Sequence, residues 1–81
     1  MRVTPGLHVE WVDDEAVILH PETKELHHLN GPAALAFALM SEHGVTRGLE
    51  ELRSSHGQAA SFEEDVAQLL DELTAKGLLI A

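Results

Sequence analysis

The side chains of this sequence best suited to chemistry are its histidines, six in a chain of 81 residues. Imidazole binds metals and exchanges protons near neutral pH. Two of them, His27 and His28, stand side by side in the stretch ELHHL, Glu25 to Leu29. Neighbours on a strand point to opposite faces, so this pair cannot chelate one ion from a regular strand. If DDE (Asp13 to Glu15) and PETK (Pro21 to Lys24) are the turns of two hairpins, His8 falls opposite His20, and Glu25 is the one obvious third ligand nearby. A closed zinc site wants four ligands, so no metal site is expected. His43 and His56 fall at helix ends, where a cation suits the negative end of the dipole. The carboxylates of Asp13, Asp14 and Glu15 share a turn, and those of Glu63, Glu64 and Asp65 share a helix start. Clusters of that kind are usually solvated. No nucleophile–base pair at recognisable spacing, phosphate loop or glycine-rich cofactor turn is present. The residues therefore point to a binding module that needs no cofactor, and not to an enzyme.

Composition narrows the partners. Cysteine is absent, which removes disulfides, thiol catalysis and thiolate metal sites. Fourteen acidic residues stand against five basic ones, for a net charge of −9. Nucleic-acid binders neutralise phosphates with Lys and Arg, and Arg2, Lys24, Arg47, Arg53 and Lys76 are scattered. The acidic surface disfavours nucleic acid and anionic membranes and favours basic or neutral partners. No apolar run approaches membrane-spanning length, and the opening MRVTPGLHVEW has no apolar signal region. One soluble, cytoplasmic domain over residues 1–81 is expected.

The elements that must position these side chains follow from hydrophobic period. Leu7 to Val12 alternates as a half-buried strand does, and Ala16 to His20 is short and β-branched. With Glu25 to Leu29 these make a three-stranded meander. Asn30 then caps a helix whose first turn holds Pro32; it runs to about Glu42 and stops at Gly44. A second helix spans Thr46 to Ser55. A third opens with a capping box, Ser61 and Glu64, carries Val66, Leu69, Leu70 and Leu73 at helical spacing, and ends at Gly77. The tail LLIA packs back.

With three-residue spacing at DDE, Leu26 lies across from Leu19, which lies across from Val9. Trp11, Val17 and His28 share that apolar face, while Glu10, Ile18 and His27 share the other. The expected core is Val9, Trp11, Val17, Leu19, Leu26, Leu35, Leu39, Leu49, Leu52, Val66, Leu69, Leu70 and Leu73, with His28 at its rim and His27 in solvent.

The order of elements, with AVILHPETKELHHLN, then GPAALAFALM, then EEDVAQLLDELTAKGLLI, resembles the PqqD-like family, also called RiPP recognition elements. The likeness runs from Val9 to Ile80 and lies in the combination rather than in one motif. Leu26 stands where the family often has an aromatic residue. The resemblance implies an α+β, winged-helix-like fold, a three-stranded antiparallel sheet followed by three helices. It also implies a function: binding the leader segment of a ribosomally made precursor peptide and presenting it to a modifying enzyme, either a leader peptidase or a radical SAM enzyme. A meander leaves a strand edge unpaired, and such an edge can accept a peptide as a further strand. The candidate site is Glu25, Leu26, His27, His28 and Leu29 on the third strand with Asp65, Leu69 and Glu72 on the third helix. The chain is expected as a monomer or an edge-paired dimer. Two other functions compete. A winged-helix DNA-binding regulator would need base-reading side chains, but the third helix is acidic. A metal-binding module would rest on the histidines.

Overall fold

The computed structural model describes all 81 residues. Five strands and three helices follow one another as β1 (Arg2–Val3), β2 (His8–Val12), β3 (Glu15–Leu19), β4 (Leu26–Leu29), α1 (Gly31–His43), α2 (Val45–His56), α3 (Phe62–Ala75) and β5 (Leu79–Ile80). Strands β2, β3 and β4 form an antiparallel sheet in that order, followed by the three helices. The fold is the α+β, winged-helix-like arrangement expected from the sequence.

The first hairpin turns on two residues, Asp13 and Asp14. Asp13 adopts φ 58°, the positive value that tight hairpin turns demand at their first central position. Val12 therefore pairs with Glu15, and the register continues through Trp11 with Ala16, Val9 with Ile18 and His8 with Leu19. The expected pairing of Leu19 with Val9, and of His8 with His20, is off by one. A slip of one residue moves each side chain to the other face. The buried face of the sheet carries Ala16, Ile18 and Leu29, whereas Leu19 and Leu26 lie outside, Leu26 at 68% exposure. The second hairpin has the expected register, Leu19 with Leu26 and Val17 with His28, but the faces of β3 and β4 are reversed, while Val9 of β2 stays on the core side as expected. His27 points inward with its side chain 12% exposed, and His28 points outward at 59%. Both are the reverse of the expectation.

The core comprises Ala16, Ile18, Leu29, Ala34, Ala36, Phe37, Met40, Val45, Leu52, Phe62, Val66, Leu73, Leu78 and Leu79. Leu52, Val66 and Leu73 fill the places expected of them. Val9, Leu39, Leu49, Leu69 and Leu70 pack against the core partly buried. Trp11 and Leu35, expected inside, are 49% and 40% exposed. Helix α1 is apolar on nearly every side, so periodicity could not choose its inner face; Ala34, Phe37 and Met40 take it.

Helix ends also depart in detail. Asn30 is the N-cap residue of α1 but makes no side-chain cap. Its carbonyl accepts from the Ala34 N–H at 2.7 Å, and the Asp14 carboxylate lies beside Gly31 at the helix start, where negative charge suits the dipole. The Ser61–Glu64 capping box does not form. Ser61 has ψ 3° rather than the extended value a capping residue adopts, and its hydroxyl donates to Asp65 Oδ2 at 3.0 Å. The far end of α3 closes as expected at Gly77. Its φ is 75°, its N–H donates to the Thr74 carbonyl, and the Leu78 N–H donates to the Leu73 carbonyl. That pair of bonds is the Schellman closure, and the buried Leu73 and Leu78 supply its apolar contact.

The tail does more than pack back. Leu79 and Ile80 pair antiparallel with Val3 and Arg2. The Thr4 hydroxyl donates to the Gly77 carbonyl at 2.6 Å. Within α2, Gly48 lies against the backbone of Leu39 and Met40 of α1, where a Cβ would come within 2.7 Å.

Two stability measurements check this packing. In urea, Leu73→Ala is expected to lose about 2–5 kcal/mol, whereas Leu26→Ala is expected to stay within about 0.5 kcal/mol of the parent. Gly48→Ala should destabilise by about 1–3 kcal/mol, because the backbone clash with α1 outweighs the gain in helix propensity. A Gly48→Ala variant that melts later than the parent would refute the close approach.

Candidate functional site

Two features of the surface could receive a ligand: the open strand edges and an apolar groove. Strand β4 forms one edge of the sheet. In an antiparallel ladder, residues alternate between pairs that exchange hydrogen bonds and pairs that do not. The His20 N–H donates to the Glu25 carbonyl at 3.0 Å, so His20 and Glu25 are a bonded pair. Counting along the register, Ile18 with His27 and Ala16 with Leu29 are bonded pairs too. Leu26 and His28 are left with backbone N–H and C=O groups directed away from the sheet. These are the positions at which an added strand would bond.

The groove has a volume of about 760 Å³. Pro32, Leu35 and Ala38 of α1 form one side, and Phe62, Asp65, Val66 and Leu69 of α3 form the other. Leu52 and His56 of α2 and Trp11, Asp13 and Asp14 of the first hairpin complete it. Helix α1 is apolar on the side it does not bury, which is why Leu35 faces this space. Trp11 is the last inward residue of β2 before the turn, at the free edge of the sheet, where its side chain is left half exposed. No Lys or Arg lines the groove; its ionisable groups are three Asp carboxylates and one His.

The residues singled out from the sequence are distributed over both features. Glu25 is exposed ahead of β4, and Leu26 lies on the outer face. The His28 ring is paired with Glu15 Oε1 at 2.7 Å. The His27 Nε2 is buried without a hydrogen-bond partner, 4.0 Å from the Glu25 carboxylate. Leu29 is a core residue, 5% exposed. Asp65 and Leu69 line the groove together, while Glu72, a turn further along α3, lies outside its lining, and so do all residues of β4. Trp11, Asp13, Leu35 and Phe62 line the groove and were not read from the sequence as site residues. The signal for Trp11 was present, since a tryptophan beside a hairpin turn at a sheet edge is poorly placed for burial. Its place on the apolar face beside Val9 made it read as a core residue.

Two further histidines, His20 and His8, have structural partners. His20 is buried, and its Nδ1 accepts from the Glu22 and Thr23 N–H groups at 3.1 and 3.3 Å. That nitrogen is therefore unprotonated, and the ring holds the turn before β4. His8 pairs with Glu10 at 2.8 Å. No group of three His, Asp or Glu side chains converges as metal ligands do.

One ion pair, Arg53 with Glu63, joins α2 to α3. Arg53 Nε and a terminal nitrogen donate to both oxygens of Glu63 at 2.8 and 3.2 Å, and the guanidinium lies 5.8 Å from the Phe62 ring centre. The hydrogen bonds from Arg53 hold the Glu63 carboxyl below the usual carboxylate range, and the same contact with Glu63 raises the Arg53 guanidinium.

Comparisons with known proteins fit this architecture. The chain matches the family model of coenzyme PQQ synthesis protein D, PqqD, over residues 15–79. No curated protein sequence matches it. Among solved structures it is similar to "TbiB1 in Complex with the TbiA(beta) Leader Peptide", with a TM-score of 0.81 at 22% identity, over 98% of this chain and 94% of that chain. At that identity the likeness speaks to the fold.

The Arg53–Glu63 pair yields a titration test. The Glu63 pKa is depressed by folding, so its contribution to stability is present above the ordinary carboxylate range and is lost as pH falls through the depressed value. In Arg53→Gln, NMR titration of the Glu63 carboxyl should show its midpoint moving up towards the ordinary range. An unmoved midpoint would refute the pairing.

Proposed function

This chain belongs to the PqqD family, and from that membership we propose that it binds the leader segment of a ribosomally made precursor peptide and presents it to a modifying enzyme. The observation that carries the reading is the open edge of β4, where Leu26 and His28 direct their backbone groups outward. An extended leader adds there as a fourth strand. Main-chain bonds supply affinity, and side chains of the added strand supply specificity. The solved protein of the same fold is described in complex with a leader peptide, which supports a ligand of that class.

On this reading Glu25, Leu26, His27, His28 and Leu29 provide the edge, and Asp65, Leu69 and Glu72 read the leader from α3. Leu29 acts by anchoring the strand in the core, and Leu26 and His28 act through their backbone. The enzyme that receives the leader is a peptidase or a radical SAM enzyme. Basic residues of the leader meet the carboxylates of Asp65 and Glu72, or those around Glu25. Exposed charge pairs mainly raise the association rate and weaken with salt.

The edge provides its own controls. Proline lacks an N–H and is tolerated on an edge strand where that group faces solvent. His28→Pro should therefore stay folded and lose binding of a cognate leader, measured by calorimetry, by at least about tenfold. His28→Ala keeps the N–H and should bind as the parent does. His27→Pro breaks a bond to β3 and should lower the melting temperature. Equal affinity of His28→Pro and the parent would refute strand addition at β4. Affinity unchanged between low and high salt would refute the charge reading.

A further inference from the structure

The groove has a feature that strand addition at β4 leaves unused. Trp11 belongs to two concavities at once. On one side is the groove of about 760 Å³, reaching Leu35, Leu69 and Asp65. On the other is a smaller one of about 290 Å³, lined by Val9, Phe37, Ala38, Ser41 and Glu42. Trp11 and Ala38 are the residues the two share. Resting on the leader-binding reading above, we infer that Trp11 is the specificity-determining residue of the peptide site. It divides an apolar trough into a large seat and a small one, and the trough takes a peptide segment of the pattern apolar-x-apolar with a Lys or Arg beside the larger residue.

Geometry gives the apolar spacing. In an extended peptide, alternate side chains point the same way and lie about 6.5–7 Å apart. Residues two apart in sequence can therefore sit on either side of one indole ring. The large seat has the volume for an aromatic side chain or a leucine, and the small seat suits a shorter apolar one. The half-exposed ring offers both apolar side chains a flat contact.

Charge gives the basic residue. Asp13 and Asp65 stand in the lining of the large seat and Glu42 in that of the small one, with no Lys or Arg in either. Asp14 is already placed at the start of α1, and Asp65 holds the Ser61 hydroxyl through one oxygen. This leaves Asp13 and the second oxygen of Asp65 to meet a cation. Apolar walls behind these carboxylates strengthen their attraction for it. The chain's net charge of −9 draws a basic segment inward and repels a second copy of the chain as the occupant.

Trp11 is the chain's one tryptophan, so its fluorescence reports occupancy directly. The test is selection from a displayed library of random peptides by the full-length chain, followed by titration of the selected peptides. The expected result is enrichment of the apolar-x-apolar pattern beside Lys or Arg, with a blue shift of the Trp11 emission on binding. Trp11→Ala should weaken selected peptides by roughly thirtyfold, as truncation of an aromatic anchor does. Asp13→Asn with Asp65→Asn should weaken those with the basic residue and spare versions carrying Gln in its place. Should Trp11→Ala fail to fold by circular dichroism, the Asn double variant and Trp11→Phe carry the test. Selected peptides that lack the pattern, or that bind these variants as tightly as the parent, would overturn the inference. A blue shift on concentrating the protein without peptide would overturn it in favour of self-association. The two readings separate at His28→Pro. If that variant abolishes binding while the Trp11 and Asp variants do not, leader binding at β4 stands and the trough fails. If no peptide is selected, both fail.

Discussion

Pairing of Val12 with Glu15 across a turn of two residues sets the faces of the sheet, and most of the molecule depends on it. With the positive φ of Asp13 in place, Ala16 and Ile18 are committed inward and Val17 and Leu19 outward. Strand β4 inherits the same sidedness through β3, which buries Leu29 and turns the His27 ring towards the core. Trp11 is placed opposite Ala16 on an edge strand, too far from the centre for its ring to be fully covered. The same turn sets Asp14 beside the first residue of α1, so the hairpin also fixes where the helical layer begins.

A second constraint joins the ends of the chain. The Schellman closure at Gly77 turns the backbone so that Leu79 and Ile80 run antiparallel to Arg2 and Val3. The ring of His20 lies beside Gly77, and its Nδ1 holds the turn that leads into β4. The far end of α3, the end of β3 and both termini are therefore held at one place. The near end of α3 is held by the exposed Arg53–Glu63 pair and by the buried Phe62 and Val66.

Charge and apolar surface are sorted in a way that fits a peptide partner. Of the chain's few cations, Arg53 is committed to an acid of its own chain, and none enters the groove. Apolar side chains left bare at Trp11 and Leu35 lie in the groove's lining, beside carboxylates. The edge of β4 adds backbone donors and acceptors that need no particular side chain.

The sequence by itself determined the kinds of elements, their order and many of their limits. Alternation before Asn30 and helical spacing after it depend only on neighbours along the chain. The closure of α3 at Gly77, the register between β3 and β4, and the absence of thiol chemistry were legible for the same reason. The faces of the sheet were not, because DDE can turn on two residues or three and the two choices place opposite side chains inside. The inner face of α1 was not, because a helix apolar on all sides carries no period. The pairing of β1 with β5 joins segments of two residues each, too short to show any pattern. Which backbone groups of β4 face outward, and that Trp11 lines a groove instead of the core, depend on contacts between segments distant in the chain, and only the packed chain makes them.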